Sequence, residues 1–206
     1  MSEKRNAILR ASATAIAERG IRGLRVTDVA EVAGVSPGLL YYHFKDREGL
    51  LDAALNYIND RARAYRSEGD ATADTARDRL VHALLGEIQD RPDVVENSLA
   101  WNELRASAVY EVALREPLAR TTAAWVAEIS DAVSEAFSEA ELAGDNPTTT
   151  DPHKIATTMT ALVEGLSGRW LCNELSTADA RSCVLLAIDL ALPHPTELHT
   201  PVKDTK

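Results

Sequence analysis

The stretch that decides the fold runs Val26-Thr27-Asp28-Val29-Ala30-Glu31-Val32-Ala33-Gly34-Val35-Ser36-Pro37-Gly38-Leu39-Leu40-Tyr41-Tyr42-His43-Phe44. It reads as helix, tight turn, helix. Thr27 is placed to cap the first helix with its hydroxyl, and the small Ala30 and Ala33 let a second helix cross closely. Gly34 supplies a left-handed turn residue. Ser36-Pro37 opens the next helix, where proline's missing N–H costs nothing because first-turn N–H groups have no helical partner. This is helix-turn-helix grammar. In that motif the second helix enters the DNA major groove with its N-terminal residues toward base edges, while the first crosses the backbone. Ser36, Gly38, Leu39, Tyr42 and His43 then face the groove, with Pro37 starting the helix that carries them. Tyr41, Lys45 and Arg47, with Arg25 ahead of the motif, stand where hydroxyl and cationic groups grip phosphate.

The rest of the chain reads as helix too. Its 206 residues are 45% hydrophobic and 26% charged, with 33 alanines and only 10 glycines, and alanine is the residue that costs least to place in a helix. The expectation is an all-α protein of about nine helices, near 3–19, 27–33, 37–43, 46–66, 72–90, 93–114, 117–142, 152–173 and 177–192. Leu118, Thr122, Trp125, Ile129, Val133, Ala136 and Ala140 recur at helical spacing, as do Ile155, Met159, Leu162, Leu166 and Trp170. Asp151, and Ser176 or Thr177, are N-cap candidates. The division expected is a DNA-binding unit over 1–50, a second helical unit over 51–192 and a disordered tail over 193–206, with a surface loop at 144–151. Gly49, inside the fourth helix, should weaken it by about 1 kcal/mol relative to alanine.

Net charge is −10, which as an average argues against nucleic acid. The average misleads, because residues 1–52 carry 8 basic and 7 acidic side chains against 14 and 25 in the remainder. Only one end of the chain suits a polyanion. Two cysteines, Cys172 and Cys183, make no disulfide framework, and there is no export signal or membrane-length apolar run, so a reducing cytoplasm and no membrane partner are expected. The histidines at 43, 82, 153, 194 and 199 lack metal-ligand spacing, and no metal or cofactor is expected.

The residues around the motif resemble the tetracycline-repressor (TetR) family of bacterial transcriptional regulators. The likeness covers roughly residues 5–55 and rests on Ile8, Ala11, Gly20, Thr27, Asp28, Val29, Ala30, Ala33, Gly34, Val35, Ser36, Tyr41, Tyr42, His43, Phe44, Arg47, Leu50 and Leu51. It implies phosphate contacts from Thr27, Tyr41, His43 and Arg47. Leu39 departs from the small hydroxyl residue common at its place, which offers an apolar contact to a thymine methyl instead of a polar base contact. Glu164-Gly165-Leu166, in a helix ending in Trp170-Leu171, resembles the choline-pathway (BetI-like) branch.

For the C-terminal helices, Trp101, Tyr110, Trp125 and Trp170 with Asn97, Asn102, Glu103, Arg105 and Glu164 are the candidate pocket, as apolar walls with a few polar groups describe ligand sites generally. A carboxylate beside aromatic faces would suit a cationic effector, and the walls alone an apolar one. A two-fold homodimer is expected through Gly165 and Gly168 on one helix and Val184, Leu185, Ile188 and Leu192 on the next. Together these give a ligand-responsive repressor of double-stranded operator DNA and not an enzyme. The alternatives are an activator or ligand-independent regulator of the same fold, or a small all-α enzyme using His82 or Glu164 as general base.

Overall fold

The computed structural model describes residues 3–144 and 150–192, with the backbone alone at 69–71, so most of the expected 144–151 loop and the whole tail from 193 lie outside the described residues. Nine α-helices and no strand make up the described part. They are α1 (Glu3–Arg19), α2 (Val26–Val32), α3 (Pro37–Phe44), α4 (Arg47–Arg66), α5 (Ala76–Leu85), α6 (Pro92–Ala108), α7 (Arg115–Leu142), α8 (Pro152–Leu171) and α9 (Thr177–Ala191).

Five of the helix starts are set by side chains. Ser36 Oγ accepts from Leu39 N–H at 3.2 Å, Asp46 Oδ1 from Gly49 N–H at 2.8 Å, Asp151 Oδ1 from His153 N–H at 3.0 Å and Ser176 Oγ from Asp179 N–H at 3.1 Å. Each meets an N–H the helix itself leaves unpaired. Thr75 and Asp78 form a reciprocal capping box at α5. Thr27 does not cap: α2 begins one residue earlier, with Arg25 at the cap position and no side-chain bond there, and the Thr27 hydroxyl turns to Asp28 instead. Gly34 adopts φ +64°, and the turn closes through Val35 N–H to Ala30 C=O at 2.9 Å.

Gly49 has a reason the helix propensity does not give. A Cβ there would stand 2.3 Å from the Phe44 carbonyl oxygen, a backbone atom, because the α3–α4 turn folds back through Lys45 at φ +63°. Only glycine fits this approach.

Two large buried clusters, with a small third of Ala62, Tyr65 and Val94, form the core. One joins α1–α4, including Ile8, Ile16, Leu40, Phe44, Leu50 and Leu55, to Ala100, Leu104 and Ala108 of α6 and to Leu114 and Leu118. The other packs α5, α7, α8 and α9 through Leu80, Leu84, Ile129, Val133, Met159, Val163, Val184 and Ile188. The N-terminal core therefore does not close at residue 50: α4 runs out of it into the body, and α6 reaches back from the body to lie along α1.

Candidate functional site

Three features can carry function: an exposed helix-turn-helix face, a polar junction beneath it, and a cavity in the body.

On the first, Arg25, Thr27, Ser36, Pro37, Gly38, Tyr41, Tyr42 and Lys45 are exposed, with Leu39 and His43 half-buried beside them. Tyr42 is 80% exposed. Its ring is met only edge-on by His43, with centroids 5.4 Å apart. Leu40 and Phe44, on the opposite side of α3, are buried. The short helix is thus anchored by two apolar residues and presents the rest outward.

Arg47 differs from the expectation of a free phosphate-gripping cation. Its guanidinium donates to the Ile21 carbonyl at 2.6 Å and lies 3.5 Å from Glu111. Glu103 also departs from its expected place. It does not line the cavity but accepts from the Ile21 N–H at 3.0 Å and from Ser107 Oγ at 3.0 Å. Both polar groups of one buried backbone residue, Ile21, are therefore held by side chains, one from α4 and one from α6. The approach is close enough that a Cβ on Gly20, at φ +71°, would meet Glu103 Oε1 at 2.8 Å. Glu96 on the same side of α6 receives Thr14 Oγ1 of α1 at 3.2 Å and Arg61 of α4 at 2.6 Å.

The cavity lies where the two cores meet, a small, partly open hollow with about 40 Å³ accessible to water. Asn97, Trp101, Asn102, Arg105, Trp125 and Glu164 line it as expected from sequence, joined by Asn59, Ala62 and Arg66 of α4, Glu87 after α5, Ser98 of α6, and Val163 and Ser167 of α8. Besides Glu103, two expected members lie elsewhere. Tyr110 is 79% exposed past the end of α6, and Trp170 is buried in the α8–α9 core with its indole N–H given to Thr177 Oγ1 at 2.9 Å.

Arg66, missed in the sequence, is the most buried cation of the body at 3% exposure. It pairs with Glu87 at 2.6 Å and Glu128 at 3.1 Å. Burial pulls its pKa down, but the two carboxylates outweigh that and raise it. Its sequence signal was position: in α4 it falls four residues after Ala62 and eight after Ile58, on the apolar stripe. Tyr65, next to it, donates to Glu87 at 2.9 Å, and burial first and the Glu87 charge second hold its phenol well above the usual value. Arg105 bonds Glu164 and, at 3.0 Å, Thr122. Burial raises the Glu164 carboxyl, opposed by the Arg105 charge. The aromatic faces expected to receive a cationic ligand are taken by the chain's own guanidinium groups, Arg66 over Trp125 at 5.6 Å and Arg105 over Trp101 at 5.7 Å.

The expected dimer residues divide. Val184, Ile188 and Leu192 recur at four-residue spacing on the side of α9 that faces its own core and are buried there, and a Cβ on Gly168 would stand 3.5 Å from Asn102 Oδ1. Gly165 borders open space, and Leu185 is 38% exposed. With Leu185 the outer side of α9 presents Leu186 and Leu190 at 59% and 80%, and both cysteines, Cys172 and Cys183, are exposed rather than buried. No helix among the described residues is long and apolar enough to cross a membrane, and no cluster of three or more His, Cys, Asp or Glu among them could hold a metal ion.

An exposed helix-turn-helix tied through one shared helix to a hollow helical body defines a transcriptional regulator with its sensor in the same chain. The chain belongs to the TetR family: residues 8–54 match the model of bacterial regulatory proteins of that family, and residues 75–193 match the C-terminal model of BetI-type transcriptional repressors. A crystal structure of a TetR-family transcriptional regulator from Rhodococcus sp. is 74% identical and covers 94% of this chain and 100% of that one, with a TM-score of 0.87. The transcriptional regulator TtgR of Pseudomonas putida is 26% identical over 175 residues, 82% of this chain and 80% of its own. The repressor KstR2 of Rhodococcus jostii is 39% identical over 66 residues, so the chain spans about a third (32%) of the length of that relative. A transcriptional regulator from Saccharomonospora viridis, crystallised in complex with choline, shares the fold at 21% identity and a TM-score of 0.77, covering 93% of this chain and 98% of that one.

Proposed function

We propose that the chain is a cytoplasmic repressor that holds a palindromic operator in double-stranded DNA as a homodimer and releases it when a small molecule occupies the cavity. Residues 1–50 read the DNA and residues 51–192 sense and dimerise. The observation that carries this reading is the double duty of α6. One side of it supplies Asn97, Ser98, Trp101, Asn102 and Arg105 to the cavity, and the other supplies Glu96 and Glu103 to the DNA-binding unit. A ligand that favours a different seat for α6 therefore favours a different seat for α1 and Ile21, and a ligand shifts such an equilibrium by its differential affinity for the two states.

Arg25, Thr27, Tyr41 and Lys45 contact phosphate, and Ser36, Pro37, Gly38, Leu39, Tyr42 and His43 meet the groove. Arg47 acts by holding Ile21, so its effect on DNA is indirect. One short helix reads too few bases alone, and two related by a two-fold axis give the half-site spacing an operator needs. The interface is the outer side of α8 and α9, around Gly165, Leu185, Leu186 and Leu190. The chain works by binding, without a cofactor and without catalysis.

Selection of operators from random duplexes by the purified protein tests this. One preferred inverted repeat is expected. Tyr41→Ala should weaken binding to all sequences alike, whereas Leu39 and Tyr42 substitutions should change which base is preferred. Absence of any preferred duplex at low or moderate salt overturns the reading.

A further inference from the structure

We infer that the effector is an uncharged molecule with an apolar body and a hydrogen-bond acceptor oxygen such as a carbonyl, whose two lone pairs can serve two donors, and that Trp101 and Trp125 recognise it by donating their indole N–H groups. The inference rests on the cavity being the effector site.

Among the described residues five buried side-chain polar atoms have no hydrogen-bond partner, and four of them belong to residues lining this cavity: Asn97 Oδ1, Trp101 Nε1, Trp125 Nε1 and Arg105 Nε. Such atoms are rare in folded proteins, because leaving a buried donor or acceptor unmatched costs about as much as a lost hydrogen bond. Four around one hollow mark a surface shaped for something else. Asn97 is 2% exposed and Trp125 5%, so neither has a solvent-facing alternative.

Their chemistry is lopsided. Three are N–H donors and one is an acceptor. The orientation of Asn97 is fixed by its surroundings, since its amide nitrogen lies 3.2 Å from the Ile58 carbonyl, which can only accept. The Trp101 N–H lies close enough to the Glu164 carboxylate to help hold its pKa down, but it keeps no hydrogen bond of full geometry, and the carboxylate is taken chiefly by Arg105. The matching ligand offers acceptors to the indoles and the guanidinium edge, and a hydroxyl or amide hydrogen to Asn97.

Charge gives the second constraint. The ionised side chains lining the cavity are Arg66, Arg105, Glu87 and Glu164, two of each sign, and each carboxylate is paired with one of the guanidinium groups. No lone charge is left to compensate an ion. A quaternary ammonium would also have to displace the guanidinium groups from both indole faces. An oxygenated neutral molecule satisfies the unpaired donors without breaking either pair.

The three tryptophans provide the test, because Trp170 already donates to Thr177 and serves as an internal reference. The indole N–H signals of the ¹⁵N-labelled full chain, assigned with Trp101→Phe and Trp125→Phe, are followed while adding benzylacetone, hydrocinnamate, benzyltrimethylammonium or butylbenzene. These probes share a phenyl body and differ in the group attached. Benzylacetone should move the Trp101 and Trp125 signals downfield, leave Trp170 in place and bind at least about fivefold more tightly than the other three, the factor one net hydrogen bond provides. Trp125→Phe should lower benzylacetone affinity about fivefold and leave butylbenzene unchanged, with Trp101→Phe as a parallel variant. If the ammonium or the carboxylate moves the same two signals and binds as tightly as the ketone, the chemical class is wrong and the site stands. If no probe moves Trp101 or Trp125, the cavity is not the effector site and the inference falls with it.

Discussion

Replacing Glu103 with alanine removes the acceptor that holds the Ile21 amide. Ile21 is fully buried and its N–H donates to Glu103 Oε1 at 3.0 Å, while its carbonyl is taken by Arg47 at 2.6 Å. With the carboxylate gone, the N–H loses its side-chain acceptor. The cost is that of a charge-assisted hydrogen bond and a stranded donor, about 2 kcal/mol. For a chain of this size each kcal/mol lowers Tm by roughly 2–4 °C, so Tm should fall by about 4–8 °C. Amide exchange localises the effect: the Ile21 N–H should exchange about 30-fold faster in the variant, the factor 2 kcal/mol gives, while core amides of α7 and α8 change only with global stability. Glu103→Gln keeps an acceptor and should lose less than half as much. Unchanged Tm in Glu103→Ala, with Ile21 exchanging at the wild-type rate, would refute the claim that this contact clamps the DNA-binding unit to α6.

Gly49→Ala gains up to about 1 kcal/mol of helix propensity but sets a Cβ against the Phe44 carbonyl, so a net loss of about 1–2 kcal/mol is expected in urea unfolding. A variant as stable as wild type would show that the α3–α4 turn yields. Aspartate at Leu185 and Leu186 together should give monomers of unchanged helix content that no longer hold an inverted repeat, whereas a charge at Ile188, which is buried, should unfold the chain. Sedimentation of a monomeric wild type at micromolar concentration would remove the basis of that comparison. Because burial raises the Glu164 carboxyl above its ordinary 4.5, the unfolded chain ionises there first as pH rises. The stability contributed by the protonated form is complete below that value and is lost as pH climbs through the raised one, so wild type should lose ground to Glu164→Gln as pH rises above 4.5 through the raised value. A difference in Tm that stays flat over that range would contradict the assignment.

The helical order was legible because proline, serine and aspartate punctuate it with local physics. Pro37, Pro92 and Pro152 each fall in a first helical turn, and Ser36, Asp151 and Ser176 each cap one. Half-sites of the cavity were legible too, since Trp101, Trp125 and Glu164 announce themselves by type. What the sequence hides is direction. Glu103 and Arg105 are two residues apart on one helix, which turns them about 200° from each other, and nothing in a single sequence says which side meets α1 and which the hollow. The same ambiguity misplaced Val184, Ile188 and Leu192, since an apolar stripe has one period whether it faces its own core or a partner. Arg66 was hidden because a charge on an apolar stripe becomes meaningful only when its carboxylates, here Glu87 and Glu128, arrive from other helices.

That directional split in α6 also limits how the regulator can work. Trp101 and Arg105 lie one turn apart, and Glu103 sits between them on the other side, so a ligand that pulls the cavity side by hydrogen bonds to Trp101 acts on a rigid rod whose far side carries the Ile21 contact. A helix transmits rotation or translation as a whole more readily than it bends, since bending must lengthen its own hydrogen bonds. The polar contacts on its far side are few and directional: Glu96 with Thr14 and Arg61, and Glu103 with Ile21. Bonds of this kind lose most of their strength over a shift of about 1 Å, whereas the apolar packing of Ala100, Leu104 and Ala108 tolerates it. A small displacement of α6 would thus uncouple α1 selectively, leaving the core closed while the recognition helices lose their fixed spacing.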